Sequence, residues 1–227
     1  MTETELGIVL LSAKVALAAI ACALPLAFAV AWLLARREFP GKGLAQSLVT
    51  LPLVLPPVVT GYVLLMLFGS NGPLGRFFDN FFGISFAFNW TGAALAAGIM
   101  AFPLLVRPIR LSLEAVDPGL EEAGGTLGAN RATVFLTITL PLALPGLIAG
   151  SVLGFAKALG EFGATITFVS NIPGQTQTLS LAIYSLMQSP SGDAAALRLI
   201  VISVVLAIGA VVLSEWFGGR LRKGRRR

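Results

Sequence analysis

The apolar positions of this chain fall into five long blocks, residues 7–35, 48–68, 90–106, 140–169 and 194–217, separated by short polar stretches. About 20 consecutive apolar residues cross a bilayer as one helix. Each block therefore predicts a transmembrane helix, and the chain reads as an all-α integral membrane protein forming a single domain over residues 1–227. In the first block, Lys14 has a stem long enough to carry its ammonium to a membrane face. The second holds Pro52, Pro56, Pro57 and Gly61. Proline removes a backbone donor and bends a helix, and broken helices persist at membrane depth where they pack on protein or line a cavity. This predicts a pathway-lining or gate-forming helix. The fourth block places Gly146, Gly150 and Gly154 at every fourth position, a smooth stripe for close helix contact. It ends near Lys157 and Glu161, four residues apart and so able to pair. Ionisable groups at membrane depth are functional candidates. Twenty residues from Pro141 to Glu161 span about 30 Å of helix, so a place at the outer interface stays open for both.

The polar stretch at 107–139 looks built as a structure of its own. Asp117 suits an N-cap and Pro118 the first helical position. Glu121 and Glu122 sit early, where the helix dipole favours negative charge. Leu127 then meets Gly128, a natural stop, and Asn130 can cap a second short helix running into Leu140 and Pro141. The expectation is two short helices joined by a glycine corner and continuous with the spans on either side. Residues 69–89 read as a short loop with Arg76 and Asp79, ending at Trp90, an interfacial anchor. Residues 170–193 are polar and rich in turn formers, with a short surface helix expected over 179–187.

Composition agrees with a place in the bilayer. The chain is 56% hydrophobic and 12% charged, with a mean hydropathy of +0.87, whereas soluble domains carry about 25% charge. There is no histidine, which excludes His-based metal sites and His general bases. No span carries paired acids, and no Ser or Cys stands beside a base, so an intramembrane enzyme is excluded. Cys22 is the single cysteine; it cannot form an intrachain disulfide and reads as a small packing residue. Residues 1–6 are acidic and lack the basic start of a signal peptide.

The pI near 10.0 does not point to nucleic acid, because the basic residues are placed with respect to a membrane. Arg36, Arg37, Lys42, Arg107, Arg110 and Arg131, with the six of the tail at 218–227, make twelve of the sixteen. All twelve fall on one side if the five blocks each cross once. The positive-inside bias puts the 107–139 segment and the tail in the cytoplasm and the N-terminus outside. There is no phosphate-binding loop: Lys42 follows Gly41, but the Gly-x-x-x-x-Gly-Lys pattern needs glycine where Arg36 stands. Any ATP-driven work must draw on a separate ATPase.

Glu122-Ala123-Gly124, three residues, Gly128, nine residues, then Ile138-Thr139-Leu140-Pro141 resembles the EAA loop of ABC importer permeases. The one departure is Gly124, where that family usually has alanine; the exchange leaves the surface shape nearly intact. Residues 39–42 (Phe-Pro-Gly-Lys), 51–59 (Leu-Pro-Leu-Val-Leu-Pro-Pro-Val-Val) and 159–174, opening Leu-Gly-Glu-Phe-Gly-Ala-Thr, are similar to the molybdate-transporting members. The last element is shared with sulfate permeases.

The resemblance implies a type I importer permease of the bacterial inner membrane, working as a homodimer. Its partners would be two cytoplasmic ATPase subunits and a periplasmic molybdate-binding protein. ATP and magnesium would belong to the ATPase, with no cofactor in this chain. The expected ATPase-coupling residues are Glu121, Glu122, Ala123, Gly124, Gly128, Ile138, Leu140 and Pro141. The expected path or gate residues are Pro56, Pro57, Gly160, Glu161, Gly163 and Thr165. A related oxyanion (tungstate, sulfate or thiosulfate) is the alternative cargo, since ion choice would reside in the binding protein. A channel or carrier without ATPase is the alternative class, though the chain shows no internal inverted repeat.

Overall fold

A computed structural model describes residues 2–190 and 192–224, with side chains described through Val212. Among the described residues there is no strand. The first helix, α1 (Glu3–Arg36), begins with a capping box in which Thr2 and Glu5 satisfy each other's backbone N–H. It is followed by α2 (Lys42–Val54), α3 (Pro57–Phe68), α4 (Pro73–Phe82), α5 (Trp90–Glu114) and α6 (Pro118–Thr126). Next, α7 (Arg131–Val134) runs through a wide π turn, Phe135–Thr139, straight into α8 (Leu140–Leu159). The chain ends with α9 (Gly163–Val169), α10 (Leu179–Met187) and α11 (Asp193–Gly224).

Four helices are long and apolar enough to cross a membrane: α1, α5, α7 with α8, and α11 over its described part. The pair α2 and α3 makes a fifth crossing if counted together, although its halves are bent by 110°. The second apolar block is thus one broken element rather than a single span, and it starts earlier, at Lys42. Pro56 and Pro57 cause the break: Pro57 opens α3 as its first residue, and neither proline can donate to the preceding turn. The fourth block also differs. Its helix starts upstream at Arg131, stops at Leu159, and resumes as α9 after Gly160, Glu161 and Phe162. The third block continues to Glu114, so Arg107 and Arg110 lie on α5 instead of in a loop. The fifth block and the tail form a helical backbone to Gly224, and the tail's basic side chains lie outside the described residues.

The centre is built by α1, α5 and α8, which pack along their lengths. Their contact faces are lined by residues with almost no side chain. Ala16, Ala27 and Ala31 of α1 and Ala93, Ala96 and Ala101 of α5 are fully buried. Hydrophobicity cannot hold helices together in lipid, so close backbone approach through small residues must. The glycine stripe of α8 serves this end. A Cβ at Gly146 would lie 2.3 Å from the Pro108 carbonyl oxygen, and one at Gly150 would lie 3.0 Å from that of Leu105. At Gly154 it would press on Leu105 and Ile20, both at 2.9 Å. Gly146→Val is therefore expected to separate α8 from α5 and to destabilise the fold by about 1–3 kcal/mol or more. A thermal aggregation assay of the detergent-purified chain checks it; an unchanged midpoint contradicts the packing argument.

Around this centre, α2 lies on α5, α3 pairs with α9, and α10 and α11 close the far side. The short helix at 179–187 is more embedded than a surface helix: Leu179, Leu181 and Ala182 are buried, with Ile8, Val9 and Leu199 among their neighbours. Cys22 is exposed on an apolar groove of about 690 Å³ between α1, α2 and α5, so it is not a core packing residue. The 69–89 segment contains α4, which reading it as a loop had missed. Its signals were present: Pro73 at the first position, Gly83 at φ 63° after the last, and apolar residues at 74, 77, 78, 81 and 82.

Candidate coupling and translocation sites

The polar segment folds as two short helices about a corner. The Asp117 carboxylate accepts from the Gly119 N–H at 2.8 Å and caps α6, and Asn130 accepts from the Thr133 N–H at 2.8 Å and caps α7. Gly128 stands between them at φ +86°, a conformation that costs residues with a Cβ. Continuity with the flanking spans holds on one side only. The run α7–π turn–α8 is unbroken, whereas Ala115, Val116 and Asp117 interrupt the helix between α5 and α6.

The two glutamates, adjacent in sequence, have opposite fates. Glu122 and Ala123 are exposed, beside the exposed Leu120 and Leu127. Glu121 turns inward: it accepts from Arg36 Nη2 of α1 at 2.8 Å and from the hydroxyl of Thr139 in the π turn. Gly124 also faces inward, where an added Cβ would sit 2.9 Å from Ile138 Cδ1. The glycine-for-alanine departure therefore bears on packing beneath α6, not on its outer surface. Ile138 and Leu140 are half-buried, and Pro141 is exposed at the start of α8.

At the other candidate site the structure brings together two breaks that lie about 100 residues apart in the chain. The short halves α3 and α9 pack so closely that a Cβ on Gly163 would lie 2.7 Å from Pro57 Cβ. One on Gly61 would lie 2.5 Å from the Ala164 carbonyl oxygen. Glu161 sits in the second break, 3% exposed. Its Oε2 accepts from Lys157 Nζ at 2.6 Å and its Oε1 from the Ala164 N–H at 3.1 Å. The expected Lys157–Glu161 pair is thus present, and the carboxylate also caps α9. Thr165 is buried at 2%, and Gly160 and Pro56 are exposed. Thr60, on α3, keeps a buried hydroxyl without a hydrogen-bond partner, and sequence reading gave no sign of it.

Residues 23–223 match the family described as binding-protein-dependent transport system inner membrane component. The chain belongs to this permease family. Similar relatives include the molybdenum transport system permease protein ModB of Escherichia coli strain K12, 56% identical over 227 residues and covering 99% of each chain. The protein of the same name from Haemophilus influenzae is 53% identical over 219 residues, or 96% of each chain. Among solved structures, a permease chain matches with a TM-score of 0.74 at 17% identity, covering 97% of this chain and 80% of the other. It comes from a bacterial alginate ABC transporter in complex with an alginate pentasaccharide-bound periplasmic protein. At that identity the likeness speaks for the fold alone.

The binding-protein-dependent permeases are inner-membrane subunits that work with an ATPase and a periplasmic binding protein, and this chain is a multi-pass inner-membrane member. Two features of this permease escaped sequence reading. Local pattern marks Arg36 only as one of the cations on one side of the membrane and Thr139 only as part of the Ile-Thr-Leu-Pro element, yet both hold Glu121. At the opposite end, Glu5 is 6% exposed and bonded to Arg198 Nη2 at 2.7 Å, tying α1 to α11. Lys14, exposed on α1, lies over the Trp90 ring, 3.7 Å from its centroid.

Proposed function

We propose that this chain is the membrane-spanning subunit of an ATP-driven molybdate importer, acting as a pair of identical copies. The observation that carries the reading is its identity, over almost the full length of both chains, to a protein named a molybdenum permease. In this reading the α6–α7 corner faces the cytoplasm and the N-terminus faces outward, as the basic residues suggest. Each copy offers α6 to one of two ATPase subunits, which bind ATP and magnesium; this chain needs no cofactor. A periplasmic molybdate-binding protein delivers the oxyanion at the opposite end. A two-fold pair places the path at its axis.

The coupling role falls to the exposed edge of α6, with Glu122 and Ala123 toward the ATPase and Gly128 setting the corner. Glu121, Gly124 and Ile138 shape the seat beneath it, and Leu140 and Pro141 open α8 next to that seat. Movement of α6 reaches α8 through the unbroken π turn, a rigid-body switch between two packings. The meeting of α3 with α9, around Pro56, Pro57, Gly160, Gly163 and Thr165, then opens and closes. A doubly charged oxyanion would be repelled by a bare carboxylate there. The Lys157 ammonium and the Ala164 N–H offset the Glu161 charge, leaving the weak, nearly neutral wall that conduction needs.

Uptake of labelled molybdate and of labelled sulfate into vesicles holding the complete assembly tests the reading. ATP-dependent uptake of molybdate in preference to sulfate is expected. Faster sulfate uptake would shift the cargo to sulfate, and full uptake without the ATPase subunit would favour a channel or carrier.

A further inference from the structure

The outer face of α6 has an obvious partner in the ATPase, but its inner face makes a contact that the family pattern does not require. Glu121 Oε1 receives Arg36 Nη2 at 2.8 Å and the Thr139 hydroxyl on the same oxygen. One carboxylate thus joins three elements: the last turn of α1, the first turn of α6, and the π turn before α8. Both charges sit where helix dipoles favour them, the cation at a C-terminus and the anion at an N-terminus. The two side chains are 19% and 26% exposed, so the pair is better shielded than a surface ion pair.

The contact matters because α6 is otherwise loosely held. It has no buried residue, its main packing among the described residues is on α7 and the π turn, and the link to α5 is not helical. The partner it grips is a long helix. The 34 residues of α1, Pro25 among them, span about 50 Å, and the stretch beyond Pro25 that ends at Arg36 has Ala27, Ala31 and Leu34 buried. At the far end α1 is anchored again: Glu5 holds Arg198 of α11, and Ser12 Oγ accepts the Leu179 N–H of α10 at 2.7 Å. Beside the strut, Phe28 of α1 meets Phe135 of the π turn edge-on at 6.0 Å between centroids.

We propose that Glu121 is a positioning residue of the coupling machinery: clasped by Arg36 and Thr139, it fixes the pose of α6 and makes α1 a second rod, beside α8, that moves with it. Glu122 meets the ATPase, and Glu121 passes the motion into the membrane. This rests on the coupling reading above, so the test has one arm that does not depend on transport.

In that arm, hydrogen exchange is followed on the full chain purified without partners. Glu121→Gln is expected to speed exchange at the amides of 118–127 about tenfold, the effect of losing a charge-assisted hydrogen bond, while α8 is unchanged. Unchanged exchange in 118–127 overturns the strut whatever the chain transports. In the second arm, the complete assembly carries Glu121→Gln, Arg36→Gln, or the exchange Arg36→Glu with Glu121→Arg. Each single variant should keep its ATPase bound and hydrolysing, while uptake per ATP falls about tenfold. The exchange should recover part of that ratio, because the reversed pair can still form and Thr139 can accept from the new arginine, although both charges then oppose their helix dipoles. Loss of ATPase binding in the single variants would make Glu121 a docking residue and overturn the proposal. So would an exchange variant no better than the singles. If the unaltered assembly shows no ATP-dependent uptake, the coupling reading fails while the exchange arm still decides the strut.

Discussion

Glu122→Arg should leave the protein in the membrane at its normal level and still cut ATP-driven uptake by on the order of thirtyfold or more. The side chain is exposed on α6 and has no hydrogen bond to another side chain among the described residues that would be lost. Substitutions at such positions usually alter stability by less than about 0.5 kcal/mol. Its exposure is also the reason for the large functional effect. A carboxylate that meets a cationic groove on another subunit becomes desolvated, and reversing a charge in such a contact costs about 2–5 kcal/mol. Membrane abundance, ATPase co-purification and uptake of labelled molybdate should be measured together. Normal uptake in the variant would remove Glu122 from the coupling surface. A simultaneous loss of abundance would instead mean that α6 supports the fold.

The second large effect is expected at the meeting of the two breaks. Gly163→Leu places a branched side chain where even a Cβ would lie 2.7 Å from Pro57 Cβ. Contact at that distance cannot be relieved by rotating the new side chain, because the first carbon is already too close. Either α9 moves away from α3 or the pair locks in a displaced packing. Transport should fall at least about tenfold, while α6, at the far end of α8, still docks its ATPase. Gly163→Ala provides a graded control, with the same first clash and no further bulk, and should show an intermediate loss. Wild-type flux through the leucine variant would show that the α3–α9 contact plays no part in the path.

These two sites were not equally legible in the sequence. The corner at 117–141 could be read nearly whole because its signals act over one or two turns. Asp117 and Asn130 cap helices that begin at the next residue, and Gly128 relieves a local backbone conformation. Local signals do not say which of two neighbouring acids points out; only the family resemblance put Glu122 toward the ATPase. Successive positions on a helix are about 100° apart, so Glu121 and Glu122 must face different ways. Which one turns inward depends on where α1 and the π turn lie. The same holds for Gly124, whose importance lies beneath the helix against Ile138. At the path, Pro56 and Pro57 announced one break. The break at Gly160–Phe162 instead falls inside a block that reads as one continuous span, and nothing local tells one break that it packs against another. The 69–89 segment is a different case. Its apolar spacing is helical, so a loop over 69–89 overlooks a local signal that was present in the sequence.

Composition and local pattern by themselves determined that the chain lives in a bilayer, how many apolar blocks it has, that Pro56 and Pro57 bend the second block, and where a polar corner interrupts them. Those properties follow from transfer of side chains into lipid and from backbone donors satisfied within a few residues. The tertiary structure decided which breaks meet, which glycines are pressed against backbone, and that Arg36 reaches Glu121 across 85 positions. Such contacts depend on how α1, α5 and α8 approach one another, which is set by the summed fit of many small side chains. No single stretch of sequence carries that sum.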